Sequence, residues 1–335
     1  RRFLPKLKSL GILAVDVMIK NKKGALEFSF AWIFAIIAGM FILFSAIYGV
    51  SKFINIEKSS QDAQTAMDIG ILTNPLESSF ETAKRTMISA PVETRIYTSC
   101  NNNGFFGKQT IRTSQKTYDK WSNEGVNVSF SNKYIFSGNP AEGKKFYLFS
   151  KSLELPFKIA DLIYLTSAED KYCFKDAPKN IEEEIEDLIG ENPSANENFF
   201  TEDCPSESIN VCFNSRGNEC NIKVFTGNSK YVEKDGEEMH YEGDALMYAA
   251  IFSNKKDYEC QLERLMKRTA QLTDIYADKS KFILEKTGCN SGLDVDLILL
   301  KNTAENLGGS GNLNTISDFS EQLSRENKYG ECRLW

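Results

Sequence analysis

The chain has 335 residues, of which 41% are hydrophobic and 26% are charged, so it can bury at least one sizeable core and is not a disordered polypeptide. Its 40 basic and 46 acidic side chains give a formal charge of −6, which argues against a nucleic-acid partner. A single histidine, His240, excludes a metal site built from several histidines.

One segment near the amino terminus is apolar throughout. Residues 28–51 are 24 consecutive positions without a charge. A helix of that length extends about 36 Å, which is enough to cross a hydrocarbon layer of about 30 Å. The segment is longer than the central region of a cleaved secretory signal, so it favours a retained membrane anchor.

The charges before this segment predict its orientation. Residues 1–27 carry seven basic residues and two acidic ones. By the positive-inside rule, the amino terminus is expected in the cytoplasm and the carboxyl-terminal domain outside the cell. We therefore expect a single-pass protein of the cell membrane, with the lipid bilayer as one partner.

The junction between the basic residues and the apolar segment carries a recognisable motif. Residues 22–28 read Lys-Lys-Gly-Ala-Leu-Glu-Phe. This junction resembles the amino termini of archaeal pilin precursors with class III signal peptides and of TadE-like pilus proteins. The resemblance implies a processing site at Gly24 and Ala25, with Glu27 preceding a helix that assembles into a filament core. Further along the chain, residues 243–252 read GDALMYAAIF and residues 332–335 read CRLW. Through these segments the longer sequence resembles uncharacterised single-span archaeal surface proteins. Both cleavage at Gly24 and an uncleaved leader stay open at this point.

The positions of the cysteines indicate the cellular compartment of the part of the chain that contains them. All eight lie beyond the apolar segment: Cys100, Cys173, Cys204, Cys212, Cys220, Cys260, Cys289 and Cys332. An even number confined to the expected exterior predicts up to four disulfides, because oxidised pairs persist there. The spacings match no zinc module, so no metal is expected.

Two statements about pairing follow from spacing. Cys212 and Cys220 bracket a turn-rich loop between two strand-like segments, so we predict that they bridge a hairpin. Cys260 and Cys289 are expected near opposite ends of one helix, too far apart to bond to each other. The other pairings cannot be read from the sequence.

The residue patterns along the chain predict an α+β, disulfide-bonded fold. We expect five parts: a cytoplasmic basic leader over residues 1–27, a transmembrane helix over 28–51, a helical stalk over 52–90, a β-rich ectodomain part over 91–243 and a helical part over 244–335. The β-rich part has β-branched and aromatic alternation between turn residues, with a tight turn at Asp235-Gly236. The helical part carries apolar residues at alternating steps of four and three, which predicts an antiparallel neighbour or a partner chain. The short loops before the next helical segments favour the neighbour within the chain.

The sequence matches catalytic and ligand-binding motifs only weakly. Residues 138–145 nearly match a phosphate-binding loop, but Lys145 takes the place of the required hydroxyl and a strand is predicted to follow, so we expect a hairpin loop. His240 is expected to be a surface or packed residue, and Asp294 and Asp296 are expected to serve a helix start rather than calcium. Asn127 begins a glycosylation sequon on the expected outer side. We nominate no catalytic residue and no cofactor.

The sequence thus predicts a membrane-anchored extracytoplasmic cell-surface protein with a structural or interaction role, of which a pilin-like filament subunit is a narrower form. Its expected partners are other surface proteins or sister subunits. The alternative is an anchored extracytoplasmic hydrolase or solute-binding protein, which would need a deep polar pocket with paired carboxylates.

Overall fold

The structure is a computed structural model that describes residues 30–72, 85–117, 119–189 and 198–335, without the side chains of 53–72. Contacts between residues divide the chain into two units, 1–55 and 56–335. The expected leader, with Gly24, Ala25 and Glu27, lies outside the described residues.

The first described element is the long helix α1, Phe30–Leu72. Its part from Phe30 to Lys52 is apolar, and none of this part is buried. Of the residues that the structure describes, this is the one helix long and apolar enough to cross a membrane. The helix continues past the apolar part as expected, but the expected helical stalk up to residue 90 is wrong at its end, because a strand begins at Thr86.

Seven strands form the first sheet. They are β1 (Thr86–Asn101), β2 (Lys108–Thr117), β3 (Lys120–Trp121), β4 (Val128–Phe130), β5 (Ile135–Ser137), β6 (Ala141–Glu154) and β7 (Lys158–Ser167). Their order is β3-β2-β1-β6-β7-β5, and β4 also pairs with β2. All pairs are antiparallel except β5 with β7. Nine consecutive residues of β7 are buried, which shows that this part of the sheet is covered on both faces.

Six strands form the second sheet. They are β8 (Tyr172–Lys175), β9 (Phe199–Phe200), β10 (Ile209–Phe213), β11 (Ile222–Thr226), β12 (Lys230–Lys234) and β13 (Glu237–His240). Their order is β13-β12-β11-β10-β8-β9. The tight turn predicted at Asp235-Gly236 is confirmed, since both residues have positive φ and β12 pairs with β13 in antiparallel register.

The pair β10 and β11 corrects the predicted hairpin between Cys212 and Cys220. The two strands lie side by side, but they are parallel, with Cys212 opposite Lys223. Residues 214–221 therefore return along the sheet as a short crossover instead of a tight turn. The alternation of apolar and polar residues along β10 and β11 does not distinguish a hairpin from a crossover, because the same face of each strand is buried in both.

Five α-helices accompany the sheets in the described part of the chain. They are α2 (Lys179–Ile189), α3 (Gly243–Phe252), α4 (Lys255–Thr287), α5 (Asp294–Glu305) and α6 (Leu313–Tyr329). Helix α3 contacts β5, β6 and β7 of the first sheet and β12 of the second, and its eight residues from Ala245 to Phe252 are all buried. The Tyr164 hydroxyl of β7 donates to the Ala245 carbonyl at 2.7 Å. The main core is therefore organised around one short apolar helix.

The carboxyl-terminal helices pack as predicted. Helix α4 lies against α5, and α5 against α6, so the antiparallel neighbour of the long helix is intrachain. The Asn254 side chain caps α4 by accepting from the Asp257 backbone N–H at 2.9 Å. Gly288 ends the helix with φ 72°. The fold class predicted from the sequence, α+β with disulfides, is confirmed.

The packing of α3 predicts the effect of Phe252→Ala. The Phe252 ring lies 5.0 Å from that of Tyr172 and 5.7 Å from that of Phe149, measured between centroids. Its removal leaves a cavity that the two sheets cannot close, so the free energy of unfolding should fall by about 3–5 kcal/mol. The matched change Phe105→Ala, at an exposed position, should cost less than about 0.5 kcal/mol. Urea unfolding of the full chain in detergent, followed by near-ultraviolet circular dichroism, measures both, and equal losses would contradict this core.

Candidate interaction site

Four disulfides join the eight cysteines. The pairs are Cys100–Cys260, Cys173–Cys204, Cys212–Cys220 and Cys289–Cys332, with Cα–Cα distances of 6.0, 5.7, 5.8 and 6.0 Å. The predicted pair Cys212–Cys220 is confirmed, and so is the exclusion of a bond between Cys260 and Cys289. All four bridges lie after the apolar helix.

The bridge between Cys100 and Cys260 fixes the end of the β1–β2 hairpin to α4. Residues 102–107, here called the aromatic loop, read Asn-Asn-Gly-Phe-Phe-Gly. Phe105 is 71% exposed and Phe106 is 40% exposed. Their rings meet edge to face at a centroid distance of 4.9 Å. The loop thus presents an aromatic pair to solvent.

Arg264 of α4 binds the backbone of the aromatic loop. Its side chain is fully buried, and its Nε donates to the Phe106 carbonyl at 3.0 Å. The two Nη atoms donate to the carbonyls of Lys133 and Ser131, at 3.0 and 2.8 Å. Burial lowers the pKa of the Arg264 guanidinium, because desolvation disfavours the charged form. Placing a cation here is costly, and the carbonyl oxygens offset that cost.

Glycine and further hydrogen bonds complete the attachment. Gly107 has φ 59°, and a Cβ at this position would lie 2.9 Å from Cγ of Arg264, so a larger residue would displace the guanidinium stem. The Lys267 ammonium donates to the Asn102 carbonyl at 2.6 Å. The Gln271 amide donates to the Phe105 carbonyl at 3.4 Å. Three successive turns of α4 therefore hold the loop.

This geometry suits binding better than catalysis. Exposed aromatic residues on a rigid support can enter an apolar pocket of a partner with little loss of conformational entropy. Phenylalanine brings a large apolar area and few rotatable bonds to such a contact. The aromatic loop is therefore the candidate site.

A cleft of about 410 Å³ lies beside the loop, lined by Asn102, Lys256, Glu259, Glu263 and Gly309 among others. Its two carboxylates have partners in the chain. Glu259 accepts from the backbone N–H of Ser310 at 2.9 Å, and Glu263 accepts from Lys267 at 3.0 Å. The pair is therefore engaged in holding the loop and the segment around Ser310.

A second polar cluster lies beneath α3. The Lys151 ammonium contacts Glu184 at 2.6 Å and Asp244 at 3.3 Å, and the Tyr248 hydroxyl donates to Glu184 at 3.3 Å. Burial and the neighbouring carboxylates raise the pKa of the Tyr248 hydroxyl. A cleft of about 200 Å³ borders Asp244 and is also lined by Tyr241. Because Lys151 contacts both carboxylates, this cluster joins α2, β6 and α3.

The other residues named from the sequence, His240, Asp294 and Asp296, contact neighbouring residues of the fold. The ring of the half-buried His240 lies 5.7 Å from that of Tyr231, and its carbonyl accepts from the Tyr258 hydroxyl at 2.6 Å, so it is a packed residue. Asp294 starts α5 and accepts from the Ser280 hydroxyl at 2.9 Å. The Asp296 pKa is raised by partial burial and by the nearby Glu326. In the described ranges, no group of three histidine, cysteine or acidic residues could hold a metal ion.

One of the two remaining segments differs from expectation. Residues 138–145 do not form a hairpin loop, because β6 begins inside them at Ala141 and pairs with β1 and β7 instead of β5. Asn127 is exposed in the loop just before β4, and Ser129 of its sequon is exposed within that strand. The sequon is accessible for modification.

The aromatic loop and Arg264 were not identified from the sequence. The loop reads as turn residues, and only its adjacent phenylalanines between two glycines indicate an exposed apolar function. Arg264 lies one position before the buried Leu265, where helical periodicity gives no sign of a buried cation. Its role depends on three carbonyls that come from distant parts of the chain.

The attachment of the aromatic loop predicts the effect of the double change Cys100→Ser and Cys260→Ser. This bridge closes a separation of 160 residues, whereas Cys212–Cys220 closes 8. The loss of conformational entropy in the unfolded chain predicts that removing these bridges lowers the free energy of unfolding by about 5 kcal/mol and about 2.5 kcal/mol respectively. Chymotrypsin should cut after Phe105 and Phe106 faster in the first double variant, with Cys212→Ser and Cys220→Ser as the matched control. Equal cutting in both variants would contradict a loop held by its bridge.

The chain was compared with protein-family models, with curated proteins and with solved structures. No family model matches, and neither of the other two comparisons gave a significant match.

Proposed function

We propose that this chain is a membrane-anchored, extracytoplasmic cell-surface protein that binds other proteins through its disulfide-bonded domain. The observation that carries the proposal is the combination of one exposed apolar helix with cysteines that are all paired after it. Each feature supports the same location.

The helix supports anchoring. Its apolar part, Phe30–Lys52, exposes large side chains such as Phe41 and Phe44 that water would solvate poorly. A lipid environment accommodates them, because the hydrocarbon layer takes about 20 apolar helical residues. The basic residues that precede the helix favour a cytoplasmic amino terminus.

The disulfides support an oxidising exterior. Pairs of this kind persist outside the cytosol and are reduced within it. The described residues contain no free cysteine, and the exposed sequon at Asn127 would face the same side. An acidic domain outside the cell is also consistent with protein partners and not with nucleic acid.

The aromatic loop supports an interaction role. It is held by a disulfide, a fully buried arginine and a glycine with positive φ, and it ends in two exposed rings. Such an arrangement is typical of an anchor residue at a protein interface. The two carboxylates of the cleft beside the loop, Glu259 and Glu263, are engaged within the chain, and we propose no second function.

A narrower form of the proposal is a pilin-like subunit. It is supported by the motif at residues 22–28, which resembles a class III signal peptide junction. In that form the leader is removed at Gly24 and the apolar helices of neighbouring copies pack together.

Anchoring predicts the behaviour of the protein in membrane fractions. The wild-type chain should stay in the pellet after extraction with alkaline carbonate, because a spanning helix is not released by charge repulsion. A variant that lacks residues 28–51 should appear in the supernatant. Protease added to intact cells should digest the disulfide-bonded domain. Release of the wild-type chain, or protection of that domain in intact cells, would overturn the proposed location.

Processing predicts a defined mature end. Amino-terminal sequencing of native material should begin at Ala25, and the change Gly24→Val should leave the leader in place by blocking the peptidase. A native chain that retains its leader would remove the pilin-like form and leave the anchored form standing.

A further inference from the structure

A further cleft lies beside α4, close to the aromatic loop. Its volume is about 290 Å³, and it is lined by Asn132, by residues 158–161 and by Arg268. We call it the Arg268 cleft. Lys158 and Arg268 are basic and Asp161 is acidic, so these residues carry one positive charge in excess. The chain as a whole has a formal charge of −6, so the sign of the cleft is opposite to that of the protein.

The charge of Lys158 is met inside the cleft. Its ammonium lies 2.7 Å from Oδ2 of Asp161, whose Oδ1 accepts from the Ser152 hydroxyl at 3.1 Å. The Asp161 side chain is only 5% exposed, so both of its oxygens are engaged away from solvent. The excess positive charge of the cleft is therefore that of Arg268.

The guanidinium of Arg268 is anchored through one of its three nitrogens. Its Nε donates to the Ile159 carbonyl at 2.6 Å, which restricts the orientation of the group. In the part of the chain that the structure describes, its two Nη atoms take part in no ion pair. The residue is half-buried and borders the cleft. Two N–H groups at the end of an oriented plane match the two oxygens of a carboxylate.

The neighbouring Tyr134 does not supply the missing negative charge. Its hydroxyl is buried, and the described residues offer it no hydrogen-bond partner. Burial raises the pKa of this hydroxyl, and the guanidinium groups of Arg264 and Arg268 oppose that rise only in part. Tyr134 is therefore neutral at physiological pH, and the charge of Arg268 stays uncompensated.

The Arg268 cleft and the aromatic loop share a support. Arg264, which binds the loop, also binds the carbonyls of Ser131 and Lys133. Asn132 of the cleft lies between these two residues. Arg268 follows Arg264 by one helical turn, about 6 Å along the axis of α4. An apolar pair of rings and an uncompensated cation are therefore attached to the same part of one helix.

We propose that the Arg268 cleft binds a carboxylate group. The two Nη atoms of Arg268 donate to the two oxygens of the ligand, and the amide of the exposed Asn132 adds a donor at the rim.

Charge is the reason for choosing a carboxylate over a phosphate. A carboxylate carries one negative charge, which equals the excess in the cleft. A phosphate group carries about −1.5 to −2 at neutral pH. Its additional charge would lie near the nearly buried carboxylate of Asp161, where solvent screens repulsion little. A monoanion is therefore the better match.

The inference deepens the proposed function, because an aspartate or glutamate of a partner protein is one source of a carboxylate. A free small carboxylic acid is the other source. The inference rests on the proposed function only for the first source. Anchoring is tested separately by carbonate extraction, so each failure is seen on its own.

The first test measures the binding of propionate, which has the carboxylate and stem of a glutamate side chain. The full chain is titrated in detergent at constant ionic strength and followed by ligand-detected NMR. Binding should saturate with a dissociation constant on the order of 1–10 mM, as expected for one charge-assisted pair that water reaches. Inorganic phosphate should bind about tenfold more weakly. Absence of saturation, or tighter binding of phosphate than of propionate, would refute the proposal.

Matched variants locate the site. Arg268→Gln should raise the dissociation constant of propionate about tenfold or more, whereas Arg325→Gln, at an arginine of α6 that is 64% exposed, should leave it unchanged. Asn132→Asp should have an effect of similar size, because the new carboxylate competes for Arg268 and the position is exposed. Asn302→Asp, at an exposed position of α5, is its control. Circular dichroism checks that each variant is folded, and wild-type affinity in a folded Asn132→Asp chain would contradict this site.

Two pentapeptides with blocked ends, Gly-Gly-Glu-Gly-Gly and Gly-Gly-Gln-Gly-Gly, distinguish the sources. Tighter binding of the glutamate peptide than of propionate would support a partner protein. Binding of propionate without the peptide would support a small acid and separate this cleft from the proposed protein interaction. Equal binding of the two peptides would contradict recognition of a carboxylate.

Discussion

The buried guanidinium of Arg264 is the interaction on which the candidate site depends. It joins three separate parts of the chain, because its nitrogens donate to carbonyls at Phe106, Ser131 and Lys133 while its own backbone belongs to α4. A buried cation without these acceptors would be strongly unfavourable, so the loop conformation and the burial of Arg264 require each other. The disulfide between Cys100 and Cys260 acts one turn away on the same helix. The backbone that carries the exposed phenylalanines is thereby attached to α4.

At the centre of the fold, helix α3 and the two sheets also depend on each other. Helix α3 is apolar all round, and such a helix is stable only if it is covered on every side. The first sheet covers one side and β12 of the second sheet covers another, so neither sheet has its full core without the helix between them. Helix α4 begins three residues after α3 ends and carries the site outward from this core. The position of the aromatic loop is therefore set by packing that starts deep inside the domain.

Local patterns in the sequence predicted the elements well and their connections less well. The sequence predicted the Asp235-Gly236 turn, the long helix α4 and its intrachain neighbour, because each prediction depends on residues that are close together in the sequence. The parallel pairing of β10 with β11 was missed, because alternation is the same for parallel and antiparallel neighbours. The strand at Thr86 was expected to be helical, since its pairing with β6 comes from residues far along the chain. The aromatic loop was missed for the same reason: its support consists of long-range contacts.

The connectivity of the bridges has a consequence for how the chain matures. Three bridges join cysteines that are neighbours in the sequence, whereas Cys100–Cys260 encloses two of them. In the extracytoplasmic location proposed above, Cys100 would emerge well before its partner, and Cys173 would be the first other thiol that it can meet. Oxidation in order of emergence would join these two wrongly. The four pairs seen in the structure therefore require either that Cys100 stay reduced until α4 has formed or that an early bridge be rearranged by thiol–disulfide exchange.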